Sequence, residues 1–165
     1  MRPRRRPILL LALGNDILGD DGAGLAAARA LREEFADEVD VVESGEAGLA
    51  LLDMMAGYKC VLLLDTITTG EHSPGTVLEL SREDFDKAVG PSPHYAGLPE
   101  VLELARRMDI DFPGEISILA LEIEQPLDFR ETLTPPIEKA LPAYVERSRQ
   151  ILREWTTETP SDPAG

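Results

Sequence analysis

The stretch that decides the fold is ILLLALGNDILGDDGAG, residues 8–24. Its first six residues, Ile8–Leu13, are an unbroken apolar run that ends at Gly14, which predicts a strand buried on both faces. A turn rich in glycine and aspartate follows. The apolar residues that then recur at helical spacing are Leu25, Ala28, Leu31 and Phe35. They predict a helix over about 21–35, so the chain opens with a strand, a turn and a helix.

The same alternation continues along the chain. Further strands are predicted around Val39–Val42, at Val61–Leu64 with its end at Asp65, at Thr76–Leu80 and at Ile116–Ile123. Further helices are predicted over 49–56, over 98–108 and from Pro135 to about Trp155. We also expect a helical turn over 81–85, an irregular loop over 86–97, and a kink or a broken first turn at Pro142.

These elements predict an α/β protein, a three-layer α/β/α sandwich with a mostly parallel five-stranded sheet. The segment between Asp65 and Thr76 is too short for the crossover that a parallel strand needs, so Thr76–Leu80 is expected to be an antiparallel or edge strand. The order of the strands in the sheet stays open. With 165 residues and no repeat or linker, the chain is expected to be one domain, with flexible ends at 1–6 and about 156–165.

The charge argues against nucleic acid as a partner. The formal net charge is −15, and the first six residues hold four arginines, so residues 7–165 carry 12 basic and 31 acidic side chains, a net charge of −19. A body this acidic repels a phosphate backbone. The apolar run after the arginines is too short for a signal peptide or a membrane span, so we expect no membrane association and a cytoplasmic protein.

The C-terminal ends of parallel strands are where α/β proteins bind ligands, and three possible metal ligands are predicted there. The turn after the first strand supplies Asp20 or Asp21, Asp65 ends the third strand, and His94 precedes the third helix. Two carboxylates and an imidazole suit a borderline divalent ion such as Zn²⁺ or Ni²⁺.

Each of these residues also has a structural interpretation. Asp20 or Asp21 could cap a helix, Asp65 could form an Asx turn, and His94 could be an exposed loop residue. His72 is expected to be exposed and without a role. Their joint arrangement at matching ends of separate elements favours a site over three unrelated caps.

Other catalytic schemes fit less well. The chain has no Gly-x-Ser-x-Gly elbow and no His-Glu-x-x-His helix. Its single cysteine, Cys60, is expected in the core, about 16 Å along the strand from Asp65, which argues against a Cys–His pair. The glycine-rich turn is not Gly-x-Gly-x-x-Gly, so a nucleotide site has weak support.

The sequence resembles the nickel-iron hydrogenase maturation proteases, the endopeptidases that trim the C-terminus of the hydrogenase large subunit. The matching motifs, in chain order, are Gly14-Asn15-x-Ile/Leu-x-x-Asp20-Asp21-Gly22-x-Gly24, Leu64-Asp65-Thr66, Pro74-Gly75-Thr76, Ser92-Pro93-His94, Gly97-Leu98 and Leu133-Thr134-Pro135. The resemblance covers nearly all of residues 8–152.

The resemblance implies that Asp21, Asp65 and His94 are the catalytic and metal-contacting residues. It implies a substrate that is a large-subunit precursor already holding nickel, cleaved after a basic residue beyond its last Cys-x-x-Cys. The nickel is that of the precursor, or another divalent metal occupies the same site, and no organic cofactor is expected. Glu46 departs from the family pattern, because relatives often have a small hydroxyl residue there.

We therefore expect a monomeric endopeptidase that acts late in hydrogenase maturation. Because His94 must be neutral to bind a metal, activity should fall below a pH of about 6.5. Two alternatives remain at this point: a non-enzymatic docking chaperone for the nickel-loaded precursor, and a small nucleotide-binding α/β protein.

Overall fold

The computed structural model describes residues 6–81, 84 and 98–158. Within them a single sheet contains the strands β1 (Ile8–Leu13), β2 (Val39–Ser44), β3 (Cys60–Ile67), β4 (Val77–Ser81) and β5 (Glu115–Glu122). Their order is β2-β1-β3-β5-β4, with β4 antiparallel to β5 and the other pairs parallel. The predicted sandwich with a mostly parallel sheet and an antiparallel edge strand is confirmed.

Helices cover both faces of the sheet. They are α1 (Ala23–Leu31), α2 (Ala50–Met55), α3 (Leu98–Arg107) and α4 (Pro135–Glu158), and a 3₁₀ turn, Gly19–Gly22, precedes α1. Alternate residues of β1 point to opposite faces. Leu10 packs into the core under α1 and α4, and Leu11 packs into the core under α2 and α3. All six residues of β1 are buried, which explains its unbroken apolar sequence.

The first helix is shorter than the predicted range of 21–35. Residues 19–22 form the tighter 3₁₀ turn, in which the amide of Asp21 donates to the carbonyl of Leu18, and α1 ends at Leu31. Phe35 is nevertheless buried, because the turns that lead back to β2 place it against the core. A residue with helical spacing can thus reach the core from outside the helix.

Two further boundaries were predicted wrongly. Strand β3 does not end at Asp65, because β5 continues beside it and pairs Asp65 with Ala120 and Ile67 with Glu122. Helix α4 extends beyond Trp155 to Glu158, so residues 156–158 are helical and not a flexible tail. Pro142 lies inside α4, whose first turn is not broken.

The described residues include Ser81 and Asp84 of the predicted turn after β4. Ser81 donates from its amide and its hydroxyl to the Asp84 carboxylate, both at 2.8 Å, as expected for a capped turn. The predicted loop over 86–97, the arginine-rich tip before Arg6 and the last seven residues lie outside the described residues. Among the helices of residues 6–81, 84 and 98–158, none combines the length and the apolar composition that a bilayer crossing requires.

Candidate active site

Asp65 lies on β3 just beyond the last residue that is paired with β1. The pairing of β1 with β3 stops at Ala12 and Leu64, so from Asp65 onward β3 is paired only with β5 among the strands. The residue is fully buried, and its Oδ1 accepts a 2.7 Å hydrogen bond from the amide of Thr66. A buried carboxylate is therefore held at the C-terminal edge of the sheet.

Asp21 lies across the gap, in the 3₁₀ turn before α1, and is half-buried. Its Oδ1 accepts a 3.1 Å hydrogen bond from the hydroxyl of Thr66. Thr66 thus donates to both predicted aspartates, through its amide to Asp65 and through its side chain to Asp21. The structure brings these two carboxylates together at one edge, as the sequence predicted.

Two glycines permit this close approach. A Cβ on Gly14 would lie 2.2 Å from the carbonyl oxygen of Asp21, and a Cβ on Gly24 would lie 2.9 Å from the carbonyl oxygen of Leu64. Any larger residue would push the 3₁₀ turn or α1 away from the strand ends. The glycines of the first motif therefore position Asp21.

His94 lies outside the described residues, so its predicted convergence with the aspartates stays a prediction. The chain places it four residues before the first residue of α3. Because α3 leads into the start of β5, its own first residue lies toward the edge that holds Asp65. Within the described part of the chain, no three His, Cys, Asp or Glu side chains group closely enough to hold a metal ion.

The structure also shows the surroundings of Asp20, His72 and Cys60, which the sequence analysis considered. Asp20 is buried and accepts 2.7 Å hydrogen bonds from the amide and the hydroxyl of Thr134, so it fastens the segment before α4 instead of capping its own turn. His72 is exposed, as expected. Cys60 is half-buried at the far end of β3, and burial together with the charge of Glu115 raises the pKa of its thiol, which argues against a thiolate nucleophile.

Sequence reasoning missed Glu122, a buried carboxylate at the end of β5. It accepts hydrogen bonds from the amide and hydroxyl of Thr69, both at 2.8 Å, and from the amide of Gly70 at 2.9 Å. It therefore holds the loop that follows β3. A lone charged residue in the otherwise apolar run Ile118–Ile123 was the signal that could have identified it.

Tyr144 of α4 is fully buried behind β3 and β5 and is bonded to their backbone. Its hydroxyl donates to the carbonyl oxygens of Leu119, at 2.8 Å, and Asp65, at 3.2 Å. Full burial and the nearby charge of Asp65 raise its pKa well above the ordinary value. Tyr144 thus stays protonated and supports the backbone behind Asp65.

A crevice of about 480 Å³ opens in front of these groups. Its walls include Asp21, Thr66 and Gln125, together with Gly14 and Gly45 at the ends of the first two strands. Asp65 does not line it, because its residue surface is fully buried. Glu46 is exposed beside Gly45, and its amide donates a 3.0 Å hydrogen bond to the side-chain oxygen of Ser44.

The two aspartates allow two chemical uses. Two oriented carboxylates can bind a divalent ion or accept a proton, and a wide crevice admits a polypeptide. Neither use requires an organic cofactor.

Comparison with known proteins shows the family of this chain. The sequence profile of a family described as hydrogenase maturation protease matches residues 25–151. The Hydrogenase 2 maturation protease of Escherichia coli is 31% identical over 153 residues, which span 89% of this chain and 91% of that protein. The hydrogenase expression/formation protein HupD of Rhizobium leguminosarum is 30% identical, over 96% of this chain and 80% of that protein.

Solved structures show the same likeness. The hydrogenase maturating endopeptidase HybD of Escherichia coli superposes with a TM-score of 0.76 at 30% identity, over 92% of this chain and 93% of that one. The [NiFe] hydrogenase maturation protease HybD of Thermococcus kodakarensis gives a TM-score of 0.70 at 28% identity, over 90% of this chain and 99% of that one. The profile covers most of the chain and the full-length relatives share its fold, so the chain belongs to the hydrogenase maturation protease family and is an endopeptidase.

Proposed function

We propose that this endopeptidase removes the C-terminal extension of a nickel-iron hydrogenase large-subunit precursor after that precursor has received nickel. The observation that carries the proposal is that Thr66 donates both to Asp21, which lines the crevice, and to the buried Asp65. The relatives described as hydrogenase maturation proteases support the choice of substrate.

In this proposal Asp21, Asp65 and His94 contact the nickel of the bound precursor. Carboxylate oxygen and imidazole nitrogen are suitable donors for such an ion, and the two described carboxylates already lie at one edge. Contact with the metal would test whether the precursor is loaded and would place the scissile bond. Water then attacks the peptide carbonyl, and either a carboxylate accepts its proton or the water is polarised in place. The C–N bond breaks, and the proton taken from water passes to the leaving amine.

The test is cleavage of a nickel-loaded precursor, followed by intact mass spectrometry. Asp21→Asn, Asp65→Asn and His94→Ala should each lower the rate by at least about a hundredfold, because each removes a metal contact or a proton acceptor. Asp37→Asn is the matched control, since Asp37 is an exposed carboxylate in the turns before β2. Wild-type rates in all three site variants would reject the assignment.

A nickel-free precursor completes the experiment. It should stay uncut under conditions in which the loaded precursor loses its extension. A stable complex with the loaded precursor and no change in its mass would instead favour a docking chaperone.

The proposal also covers the oligomeric state and the cellular location of the protein. We propose that it acts as a monomer in the cytoplasm, where the precursor would be assembled. Sedimentation velocity at micromolar concentration should give the mass of one chain, and fractionation of cells should recover the protein with the unprocessed precursor.

A further inference from the structure

Large apolar side chains are exposed mainly at one end of the molecule. Among the described residues they are Ile17, Leu49, Met108, Leu127 and Phe129, with exposed fractions of 48%, 65%, 62%, 90% and 81%. All except Met108 follow the C-terminal ends of parallel strands. Met108 follows α3 and lies toward the opposite end of the sheet. Apolar exposure thus concentrates on the side of the molecule that carries the two aspartates.

Three of these side chains belong to two segments that are bonded to each other. The amide of Gly19 donates to the carbonyl of Arg130 at 2.6 Å, and the amide of Arg130 donates to the carbonyl of Ile17 at 2.9 Å. Ile17 and Phe129 are therefore neighbours across this short parallel bridge. We call Ile17, Leu127 and Phe129 the apolar lip.

Hydrogen bonds fix the position of the segment that carries Leu127 and Phe129. Asp20 accepts two hydrogen bonds from Thr134, which fastens the far end of the segment that carries Leu127 and Phe129. An apolar pair at 80–90% exposure on a segment anchored at both sides is an exposed patch of the kind that marks an interaction surface.

A groove of about 340 Å³ runs beside the lip and leads to the candidate active site. Leu127 lines this groove, and Leu18, Gln125 and Pro126 line both the groove and the crevice that contains Asp21. A polypeptide seated in the groove is therefore positioned to enter the crevice.

The groove also carries charge. Glu124 and Asp128 line it and are exposed, while Arg130 supplies one positive charge. The whole chain has a net charge of −15. The charge favours a partner segment with basic residues next to an apolar side chain.

We propose that the apolar lip and the groove beside it form the docking surface for the protein substrate. The occupant is a segment of the precursor that carries an apolar side chain flanked by basic residues. Burial of that side chain between Leu127 and Phe129 supplies affinity, and Glu124 and Asp128 receive the basic residues. This inference rests on the proposed function, because it assigns the same precursor to the groove.

The test compares Leu127→Ser/Phe129→Ser with Met108→Ser, which removes another exposed apolar side chain, at the opposite end. Cleavage of the nickel-loaded precursor gives KM and kcat, and binding is measured in an Asp21→Asn background so that the precursor stays intact. The double variant should raise KM and Kd roughly tenfold to a hundredfold, the effect of losing the burial of one or two apolar side chains, with kcat within about twofold. Met108→Ser should change neither constant.

The outcomes separate this inference from the proposed function. If the wild-type protein cleaves the precursor and the double variant keeps its KM and Kd, the docking surface is rejected and the proposed function stands. If the wild-type protein does not cleave but the double variant still binds more weakly, the proposed function is rejected and the docking surface stands. Failure of every variant to bind rejects both.

Two additional measurements complete the test. Glu124→Gln/Asp128→Asn should weaken binding severalfold at 50 mM salt and have little effect at 0.5 M salt, because exposed charges are screened. Equal affinity at low salt would reject the assigned role of these carboxylates. A wild-type dimer that the Leu127→Ser/Phe129→Ser variant converts to a monomer would show that the lip joins two copies of this chain, which rejects the inference.

Discussion

The two ends of the parallel strands differ in what they bury and what they expose. At the N-terminal end, backbone hydrogen bonds join the chain segments. The amide of Lys59 donates to the carbonyl of Pro7 at 2.8 Å, and the amide of Glu115 donates to the carbonyl of Lys59 at 3.3 Å. At the C-terminal end, the side chains of Thr66 and Glu122 add hydrogen bonds between neighbouring segments to those of the backbone.

The two ends also differ in the types of residue that they bury and expose. Of the buried polar residues in the described part of the chain, Asp20, Asp65, Thr66 and Glu122 lie at the C-terminal end, and Ser148 lies within α4. The exposed apolar residues concentrate at the same end. Burial of polar groups and exposure of apolar groups each cost stability. Their coincidence at one end indicates that this end is shaped for binding and catalysis, while the other end is shaped for stability.

The largest expected effect comes from Glu122→Leu, which removes the buried acceptor without leaving a cavity. Two amides and a hydroxyl of the loop after β3 would lose their partner. The free energy of unfolding in urea should fall by about 2–4 kcal/mol.

Glu122→Gln is the control for this change, because its amide oxygen can still accept from the amides of Thr69 and Gly70. It should lose less than half as much stability. Equal losses in both variants would mean that the hydrogen bonds are unimportant and that the negative charge itself is what the loop requires.

A smaller effect is expected from Thr66→Val, which keeps the shape of the side chain and deletes the hydroxyl that orients Asp21. Stability should fall by about 1 kcal/mol and kcat by about tenfold, with KM unchanged, because the carboxylate loses its orientation. Thr66→Ser should restore kcat. A kcat that remains low in the serine variant would place the effect in the methyl group and its packing.

Tyr144→Phe tests the support behind Asp65 through pH. Because folding raises the pKa of Tyr144, the folded state holds the proton more tightly than the unfolded state. The resulting stability is complete below about pH 10, the ordinary pKa of tyrosine, and is lost as the pH rises above it. Urea unfolding at pH 8 and pH 10.5 should show a larger alkaline loss for the wild-type protein than for the variant.

At pH 8 the phenylalanine variant should be less stable by about 0.5–1 kcal/mol, since two hydrogen bonds to carbonyl oxygens are lost. An identical alkaline loss in both proteins would show that Tyr144 does not titrate differently on folding. Cys60, whose pKa is also raised, is present in both and cancels in the comparison.

Much of the fold was predictable because it depends on local patterns. The run Ile8–Leu13 is apolar throughout, and the observed strand has the same bounds. The antiparallel β4 followed from the short connection after Asp65. The end of β3 was not predictable, since the strand continues only because β5 lies beside it. The strand order likewise depends on packing between distant segments.

The site was predictable to the extent that it depends on strand ends and on the motifs of the family. Asp21 and Asp65 were selected by that argument, and they meet through Thr66. The roles of Thr66 and Glu122 depend on contacts between residues 45 and 53 positions apart, which no local pattern encodes. The apolar lip was missed for the same reason, because exposure of Leu127 and Phe129 is a property of the folded chain.

The smallest effect is expected from a glutamate away from the crevice. Glu103 on α3 is paired with Arg106 and Arg107, and their hydrogen bonds lower its pKa to about 2. Because the pKa is lowered by folding, any stabilisation is complete above the ordinary value near 4.5 and is lost as the pH falls toward 2. The pair is exposed, however, so water and salt screen it and little stability is expected.

Glu103→Gln should leave the unfolding free energy at pH 7 and the cleavage rate unchanged within error. The same substitution at Glu122 replaces a buried acceptor and should be measurable, so equal effects at the two glutamates would remove the contrast between the catalytic end and the rest of the molecule.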